Sequence, residues 1–158
     1  MSRVLQEVHT RLSSFLVVLA VVVVLPSPAA AQAPGVRAGI SVDPDQFFIG
    51  GHYETGPLVD RLHFKPNIEV GFGDDITLVG LNFEFVYKIL TRQGWTLYAG
   101  GGPAINFYSF DDLDEGETEP GFNALFGAET ARGLFFEAKL GVPDSPDLKF
   151  TVGWTFRP

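Results

Sequence analysis

Two histidines and a carboxylate come nearest to a metal site in this chain. His52 and His63 are both expected close to Glu54 at one end of the predicted fold, and imidazole and carboxylate groups are ligands that zinc accepts in proteins. Their spacing matches no compact ligand motif, and two histidines in a polar interior more often serve as hydrogen-bonding partners. The sequence therefore predicts no metal site and no cofactor.

Nucleophilic chemistry would require a serine beside one of these histidines, since the chain has no cysteine. Ser41 and Ser109 fall at the end of the predicted fold opposite to His52 and His63, so a hydrogen-bonded Ser–His pair is not expected. No phosphate-binding loop or dinucleotide fingerprint is present either. We therefore predict no catalytic residue and no enzymatic activity.

A dense run of carboxylates offers the remaining chemistry, which is divalent-cation binding. The run lacks the third acidic position and the distal glutamate of a calcium-binding loop. An acidic stretch poor in apolar residues is instead typical of a solvated, mobile loop. We name it the acidic outer loop, and its carboxylates are Asp111, Asp112, Asp114, Glu115, Glu117 and Glu119.

A strict alternation of apolar and polar residues positions all of these groups. Side chains of a β-strand point alternately to opposite faces, so a period of two predicts strands, and turn residues bound each segment. Eight such segments can be marked, at 36–42, 46–54, 62–72, 77–88, 95–107, 122–130, 134–142 and 148–156. The predicted fold class is all-β, an eight-stranded antiparallel up-and-down barrel.

The third and fourth segments fix a register between them. If residues 74–75 form a two-residue hairpin turn, Lys65 lies opposite Glu84 and Asn67 lies opposite Asn82. These pairs fall on the polar face of both strands. We therefore expect Lys65 and Glu84 to form an ion pair.

An excess of glycine on the polar face indicates which face is inside. Glycine weakens a strand and brings no benefit on a water-facing surface, whereas the crowded interior of an eight-stranded barrel needs small residues beside long charged ones. A turn at 91–94 centred on Arg92 would place Gly100 opposite Glu84 and Gly102 opposite Asn82. The polar face is therefore predicted to line the lumen, and the apolar face to point outward, as in membrane barrels.

Charged residues on this polar face balance one another. Paired charges can be buried where unpaired ones cannot, so a lumen filled by these side chains is expected to stabilise the barrel rather than to conduct. We name the ten residues the lumen charge network: Arg37, Glu54, Lys65, Glu69, Glu84, Lys88, Glu129, Glu137, Lys139 and Lys149.

The two ends of the predicted barrel differ in charge. The connections at 43–45, 73–75, 110–119 and 143–147 hold 12 of the 18 carboxylates that follow residue 31 and none of its nine bases, while Arg61, Arg92, Arg132 and Arg157 fall at the other end. Outer-membrane barrels have short periplasmic turns and longer outer loops, so the arginine end is expected to be periplasmic. Aromatic residues near that end predict an aromatic girdle, formed by Tyr53, Tyr87, Trp95, Trp154 and Phe156.

The N-terminal segment resembles a secretory signal. Arg3 and Arg11 precede an apolar run at 15–25, which is shorter than the roughly 20 residues of a spanning helix, and Ala29 to Ala31 supply a cleavage motif. We predict a signal peptide at 1–31 and one domain at 32–158; an uncleaved N-terminal anchor is the alternative. Without Arg3, Arg11 and Glu7 the domain has 9 bases and 18 acids, a balance that argues against nucleic acid as a partner.

Together, the signal segment, the eight alternating strands and the closing series Phe150, Val152, Trp154 and Phe156 resemble the small outer-membrane β-barrel family, of the OmpA and OmpX type. The stretch 95–103 is also similar to strands common in that family. The resemblance implies a porin-like but closed integral protein of a Gram-negative outer membrane, in contact with membrane lipid and lipopolysaccharide. It implies insertion by the outer-membrane barrel assembly machinery and a monomeric state.

Two other functions stay open at this level. A soluble secreted or periplasmic barrel of the lipocalin type, which binds a hydrophobic ligand, shows the same alternation with the faces exchanged. A lipid-modifying enzyme of the outer membrane shares the barrel itself. Membrane fractionation separates the first from a membrane barrel, and analysis of lipid A separates the second.

Overall fold

The computed structural model describes residues 32–74, 76–110, 116–143 and 145–157, without the side chain of Phe110. The signal peptide predicted at 1–31 lies outside these residues. Within them, no helix is long and apolar enough to cross a membrane. The strands are β1 (Ala33–Val42), β2 (Gln46–Glu54), β3 (Pro57–Val59), β4 (Leu62–Phe72), β5 (Ile76–Arg92), β6 (Trp95–Phe110), β7 (Gly116–Thr130), β8 (Leu134–Val142) and β9 (Leu148–Thr155).

All these strands form one antiparallel sheet that closes on itself. The order is β2-β1-β9-β8-β7-β6-β5-β4-β3, and an additional pairing of β2 with β4 completes the circle. The short β3 adds only to the start of β4, so the closed wall has eight strands. The predicted fold class is confirmed.

The alternation of side chains separates the two faces of this wall. Outward-pointing apolar residues such as Phe126 and Leu140 are 54% and 58% exposed, whereas the charged Lys65 and Glu84 are 1% and 0% exposed. The apolar face is thus outside and the charged face is inside, the reverse of a water-soluble barrel.

The β4–β5 hairpin has the predicted register. Lys65 lies opposite Glu84, and Asn67 lies opposite Asn82. The pairing continues without a shift from Leu62 to Phe72. A slip of one residue would turn the apolar side chains inward and the charged ones outward, which disfavours any other register.

The predicted register of β5 with β6 is wrong by two residues. Gly100 lies opposite Val86, not Glu84, and Asn82 lies opposite Ala104, not Gly102. The turn consists of Gln93 and Gly94 alone, both at positive φ, as two-residue hairpin turns require. A bulge between Lys88 and Leu90 then shifts the pairing.

The second strand has the predicted bounds, Gln46–Glu54, but a short strand that was not predicted follows it. After Gly56 the chain continues as β3 and turns at Asp60, which has a φ of 48°. Thr55 fills the break between β2 and β3, because its hydroxyl oxygen accepts a hydrogen bond from the Phe64 amide at 3.0 Å. A side chain here replaces a backbone group of the ladder.

Part of the acidic outer loop is strand rather than loop. Glu117 and Glu119 belong to β7, where they lie opposite Tyr108 and Asn106 of β6. β7 therefore extends beyond β8, which joins it only at Phe122, whereas β5 pairs with β6 as far as Phe110. The other four carboxylates of the loop, Asp111, Asp112, Asp114 and Glu115, lie outside the described residues.

Candidate functional site: the charged interior and its rims

Glu69 contacts three cationic side chains in the middle of the barrel. Its oxygens lie 3.1 Å from Arg37, 3.0 Å from Lys139 and 2.8 Å from Lys149. The residue is 2% exposed, so its charge is compensated by protein groups rather than by bulk water. One acid thereby connects β4 with β1, β8 and β9.

Glu137 is the second centre of the interior. It accepts a hydrogen bond from the Tyr98 hydroxyl at 2.9 Å and lies 3.4 Å from Arg37 and 3.6 Å from Lys65. Arg37 therefore bridges Glu137 and Glu69 across the barrel, as a guanidinium with several donors can do.

Lys65 and Glu84 are neighbours across the hairpin, but their charges are directed elsewhere. The Lys65 ammonium group contacts Glu137, whereas Glu84 lies 2.7 Å from the ammonium group of Lys139. That Glu84 oxygen receives no aligned hydrogen bond, so this contact is chiefly electrostatic; Asn67 donates to the other oxygen at 2.7 Å. The expected Lys65–Glu84 ion pair is thus wrong, although the register that suggested it is right.

Aromatic rings inside the barrel are a feature that the sequence analysis missed. Phe135 is fully buried, and the Lys65 ammonium nitrogen lies 4.1 Å from its ring centroid and 5.0 Å from that of Tyr98. Arg37 lies 5.5 Å from the Phe135 ring. Such rings attract cations through their quadrupole. The signal was available, because Phe135 has the parity of the polar Glu137 and Lys139.

A chain of asparagine amides crosses the interior beside these charges. Asn123 donates to Asn82 at 2.7 Å, and Asn82 donates to Asn67 at 2.8 Å. Asn67 in turn donates to Glu84. Each amide offers both donor and acceptor groups, so buried polar atoms on β7, β5 and β4 satisfy one another.

Four charged residues fill the interior at the end of the short turns. Lys88 lies 2.7 Å from Glu54 and 2.5 Å from Glu129. Arg157 follows β9 and points inward, where its guanidinium lies 2.6 Å from Glu129 and 3.6 Å from Glu54. Sequence analysis placed Arg157 at this end but did not include it in the lumen charge network, because a tail residue gives no parity signal.

The histidines and serines lie where no joint chemistry results. His52 hydrogen-bonds Thr155 at 2.9 Å by passing over Gly35, whose missing side chain leaves the space. His63 contacts the Thr55 carbonyl at 2.9 Å, whereas Ser41 donates to the Pro44 carbonyl at the opposite end of the β1–β2 hairpin. Ser109 lies beside Thr77 at that same end. Within the described ranges, no cluster of three or more potential metal ligands occurs.

Little empty space remains among these side chains. A small cavity of about 10 Å³ lies between Glu69 and Lys149, towards the end opposite the short turns. It has room for about one water molecule. Tyr98, Lys65, Phe135 and Lys139 are among the large side chains that are almost fully buried.

The two rims of the barrel carry different residues. The predicted aromatic girdle residues are all at the short-turn end and are 37–53% exposed: Tyr53, Tyr87, Trp95, Trp154 and Phe156. At the opposite end, Asp43, Asp45, Asp74 and Asp147 are exposed.

Among the solved structures similar to this chain are two natural proteins and one designed protein. The N-terminal β-barrel domain of Pseudomonas aeruginosa OprF has 15% identity and a TM-score of 0.56, over 80% of this chain and 98% of that one. Neisserial surface protein A (NspA) has 16% identity and a TM-score of 0.58, over 81% and 96%. The de novo designed TMB2.3 has 17% identity and a TM-score of 0.53, over 81% and 94%.

The likeness concerns the fold alone. No protein-family model and no curated protein matches the chain. Since similarity extends to a designed protein, it reflects shared barrel geometry. The chain has the fold of the small eight-stranded outer-membrane β-barrels, as the sequence resemblance implied.

Proposed function

We propose that the protein is an integral outer-membrane protein of a Gram-negative bacterium, exported by its N-terminal signal and inserted by the outer-membrane barrel assembly machinery. The single observation that carries the proposal is the distribution of side chains on the wall. Apolar residues such as Ile40, Phe126 and Leu140 are half-exposed outside, and a lipid environment removes the cost of that exposure.

The interior supports a closed rather than a porin-like barrel. Its charges are held by partners from several strands, as Glu69 and Glu137 illustrate, and eight strands enclose only enough space for side chains. We assign the interior a stabilising role. The end of the barrel that carries the acidic outer loop would interact with the cell surroundings. Divalent cations would there link its carboxylates to lipopolysaccharide headgroups. The barrel is expected to be a monomer.

Membrane fractionation tests this function directly. After carbonate washing, the protein should stay with the outer-membrane fraction, and in detergent it should migrate differently on gels before and after heating. Recovery in the soluble periplasmic fraction would contradict the proposal and favour the soluble ligand-binding barrel. The outward apolar face argues against that alternative, because lipocalin-type barrels carry such residues inside.

A non-enzymatic role is part of the same proposal. Ser41 lies at the opposite end of the β1–β2 hairpin from His52, which does not support a Ser–His nucleophile. Mass spectra of lipid A should be identical in cells with and without the protein. Loss or gain of an acyl chain that depends on the protein would favour the lipid-modifying enzyme instead.

A further inference from the structure

Three arginines at the short-turn end lie on linked turns of the barrel. Arg61 belongs to the β3–β4 turn, Arg92 ends β5, and Arg132 belongs to the β7–β8 turn, and all three are exposed. Asp60 is the carboxylate in these turns, so the group has a net charge of two positive units. We name the three residues the arginine arc.

Hydrogen bonds hold these turns against one another. Arg61 donates from its guanidinium to the Ile89 carbonyl at 3.1 Å, and the Arg61 carbonyl accepts from the Lys88 amide at 3.0 Å. The Ala131 amide donates to the Gly94 carbonyl at 3.0 Å. The arginine arc is therefore one sector of the rim, with Arg92 in its middle strand pair.

The bulge in β5 places Arg92 on the outer face. Before the bulge, odd-numbered residues such as Phe85 and Tyr87 point outward; after it, Leu90 lies opposite Leu97 and Arg92 lies opposite Trp95. Directly opposite residues of an antiparallel pair share a face. Arg92 thus stands beside an outward tryptophan rather than over the lumen.

Apolar and aromatic groups border the arginine arc on the side of the membrane. Trp95 is 42% exposed and stacks on Phe136 at 6.4 Å, and Leu90 and Tyr87 are 51% and 45% exposed. Tryptophan and tyrosine lie at the level of lipid headgroups. Exposed arginines next to such a belt lie where lipid phosphates are.

We propose that the arginine arc binds the headgroup phosphates of anionic phospholipids in the periplasmic leaflet. Guanidinium groups donate paired hydrogen bonds to phosphate oxygens, and Trp95 and Leu90 contact the upper acyl chains. The opposite rim has exposed aspartates and so excludes the same lipid. This inference rests on the proposed membrane location, and it adds a lipid specificity to it.

Tryptophan quenching tests the site, because the chain has two tryptophans and one of them borders the arginine arc. In the Trp154→Phe protein, Trp95 is the sole tryptophan. Reconstituted into phosphatidylcholine vesicles, it should be quenched by brominated phosphatidylglycerol at a lower mole fraction than by brominated phosphatidylcholine. We expect a relative affinity of about fivefold, the effect of one basic residue at an anionic surface.

Matched variants separate this site from general charge. Arg61→Gln, Arg92→Gln and Arg132→Gln together should abolish the preference, and lysine at the three positions should retain part of it. Asp43→Asn, Asp45→Asn and Asp74→Asn on the opposite rim should leave it unchanged. Equal quenching by both brominated lipids in the Trp154→Phe protein would overturn the proposal.

Two further outcomes distinguish the sources of failure. If neither brominated lipid quenches Trp95, the barrel is not in the bilayer and the proposed function fails with the site. If inorganic phosphate removes the preference at constant ionic strength, the arginine arc binds free anions, and the lipid proposal is wrong although the membrane location stands.

Discussion

The ammonium nitrogen of Lys139 lies 2.7 Å from a carboxylate oxygen of Glu84, across the interior from β8 to β5. The two strands are separated in the sheet by β6 and β7, so this contact spans the barrel instead of following a hairpin. Both side chains are at most 1% exposed. Such a pair compensates two charges that water cannot reach.

Removing one member of this pair should lower the free energy of unfolding. Removing both members should lower it by less than the sum of the two single losses. Lys139→Met should destabilise the barrel by about 3–5 kcal/mol, because it leaves the buried Glu84 without its cation. Glu84→Gln should cost less, because Lys139 keeps Glu69 at 3.0 Å. The double variant should lose less than the sum. Urea unfolding in lipid vesicles gives the coupling free energy.

Lys65 provides the matched control for this cycle. It lies opposite Glu84 in the register but contacts Glu137, so Lys65→Met combined with Glu84→Gln should show a smaller coupling free energy than the Lys139 cycle. A larger coupling for Lys65 would mean that sequence neighbours, and not the contacts across the barrel, determine how the charges pair.

Phe135 should stabilise the interior through its ring as well as through its volume. Phe135→Leu retains an apolar side chain but removes the surface that faces Lys65 and Arg37, a loss of about 2 kcal/mol for a desolvated cation. The adjacent Phe136 is the control, because it is 50% exposed on the outer face. If Phe136→Leu destabilises the barrel as much as Phe135→Leu, the ring–cation contacts contribute nothing specific.

A charge on the outer face should prevent stable insertion in proportion to its depth. Leu81 points outward in the middle of β5, and Leu81→Arg should cost about 2–4 kcal/mol, the value for arginine at the midplane of such barrels. Val59→Arg at the short-turn rim should cost about 0–1 kcal/mol. Equal stability of wild type and Leu81→Arg would indicate that this face does not contact lipid.

The closed interior predicts the electrical behaviour of the protein. In planar bilayers, purified protein should show no steady conductance of porin size, because large side chains such as Tyr98, Lys65 and Phe135 occupy the lumen. An open porin reconstituted in the same lipid serves as the positive control. A sustained conductance of comparable size would require a different arrangement of the interior.

The sequence was sufficient to predict the strands of the barrel wall and the face of each side chain. It was not sufficient to predict which charged side chains contact one another in the lumen. The parity of Lys65 and Glu84 follows from the apolar alternation on their strands, and their register follows from a short turn. The choice of ionic partner does not, because long flexible side chains reach across the lumen to whichever opposite charge the closed barrel brings near. Lys139 and Glu84 are far apart in sequence and meet only after closure.

Local irregularities were the other part that the sequence did not reveal. The predicted segment ends at residue 88, whereas β5 continues to Arg92 through a bulge between Lys88 and Leu90. The sequence does not mark this bulge, since a bulge needs no special residue when the added side chain is accommodated on the outer face. Thr55 likewise replaces a backbone partner by its hydroxyl, which alternation cannot indicate. Arg157 lies beyond the last alternating residue, and the interior position of its guanidinium depends on Glu54 and Glu129.

The hydrogen bond between His52 and Thr155 joins β2 to β9 over Gly35 of β1. β2 pairs with β1 as a hairpin, but β9 becomes a neighbour of β1 only when the N-terminal and C-terminal strands of the sheet have met. In an assembly intermediate in which every hairpin has formed but β1 and β9 are not yet paired, the His52 imidazole lacks its hydroxyl partner. The contact therefore requires the closed barrel, and it reports whether β1 and β9 are paired.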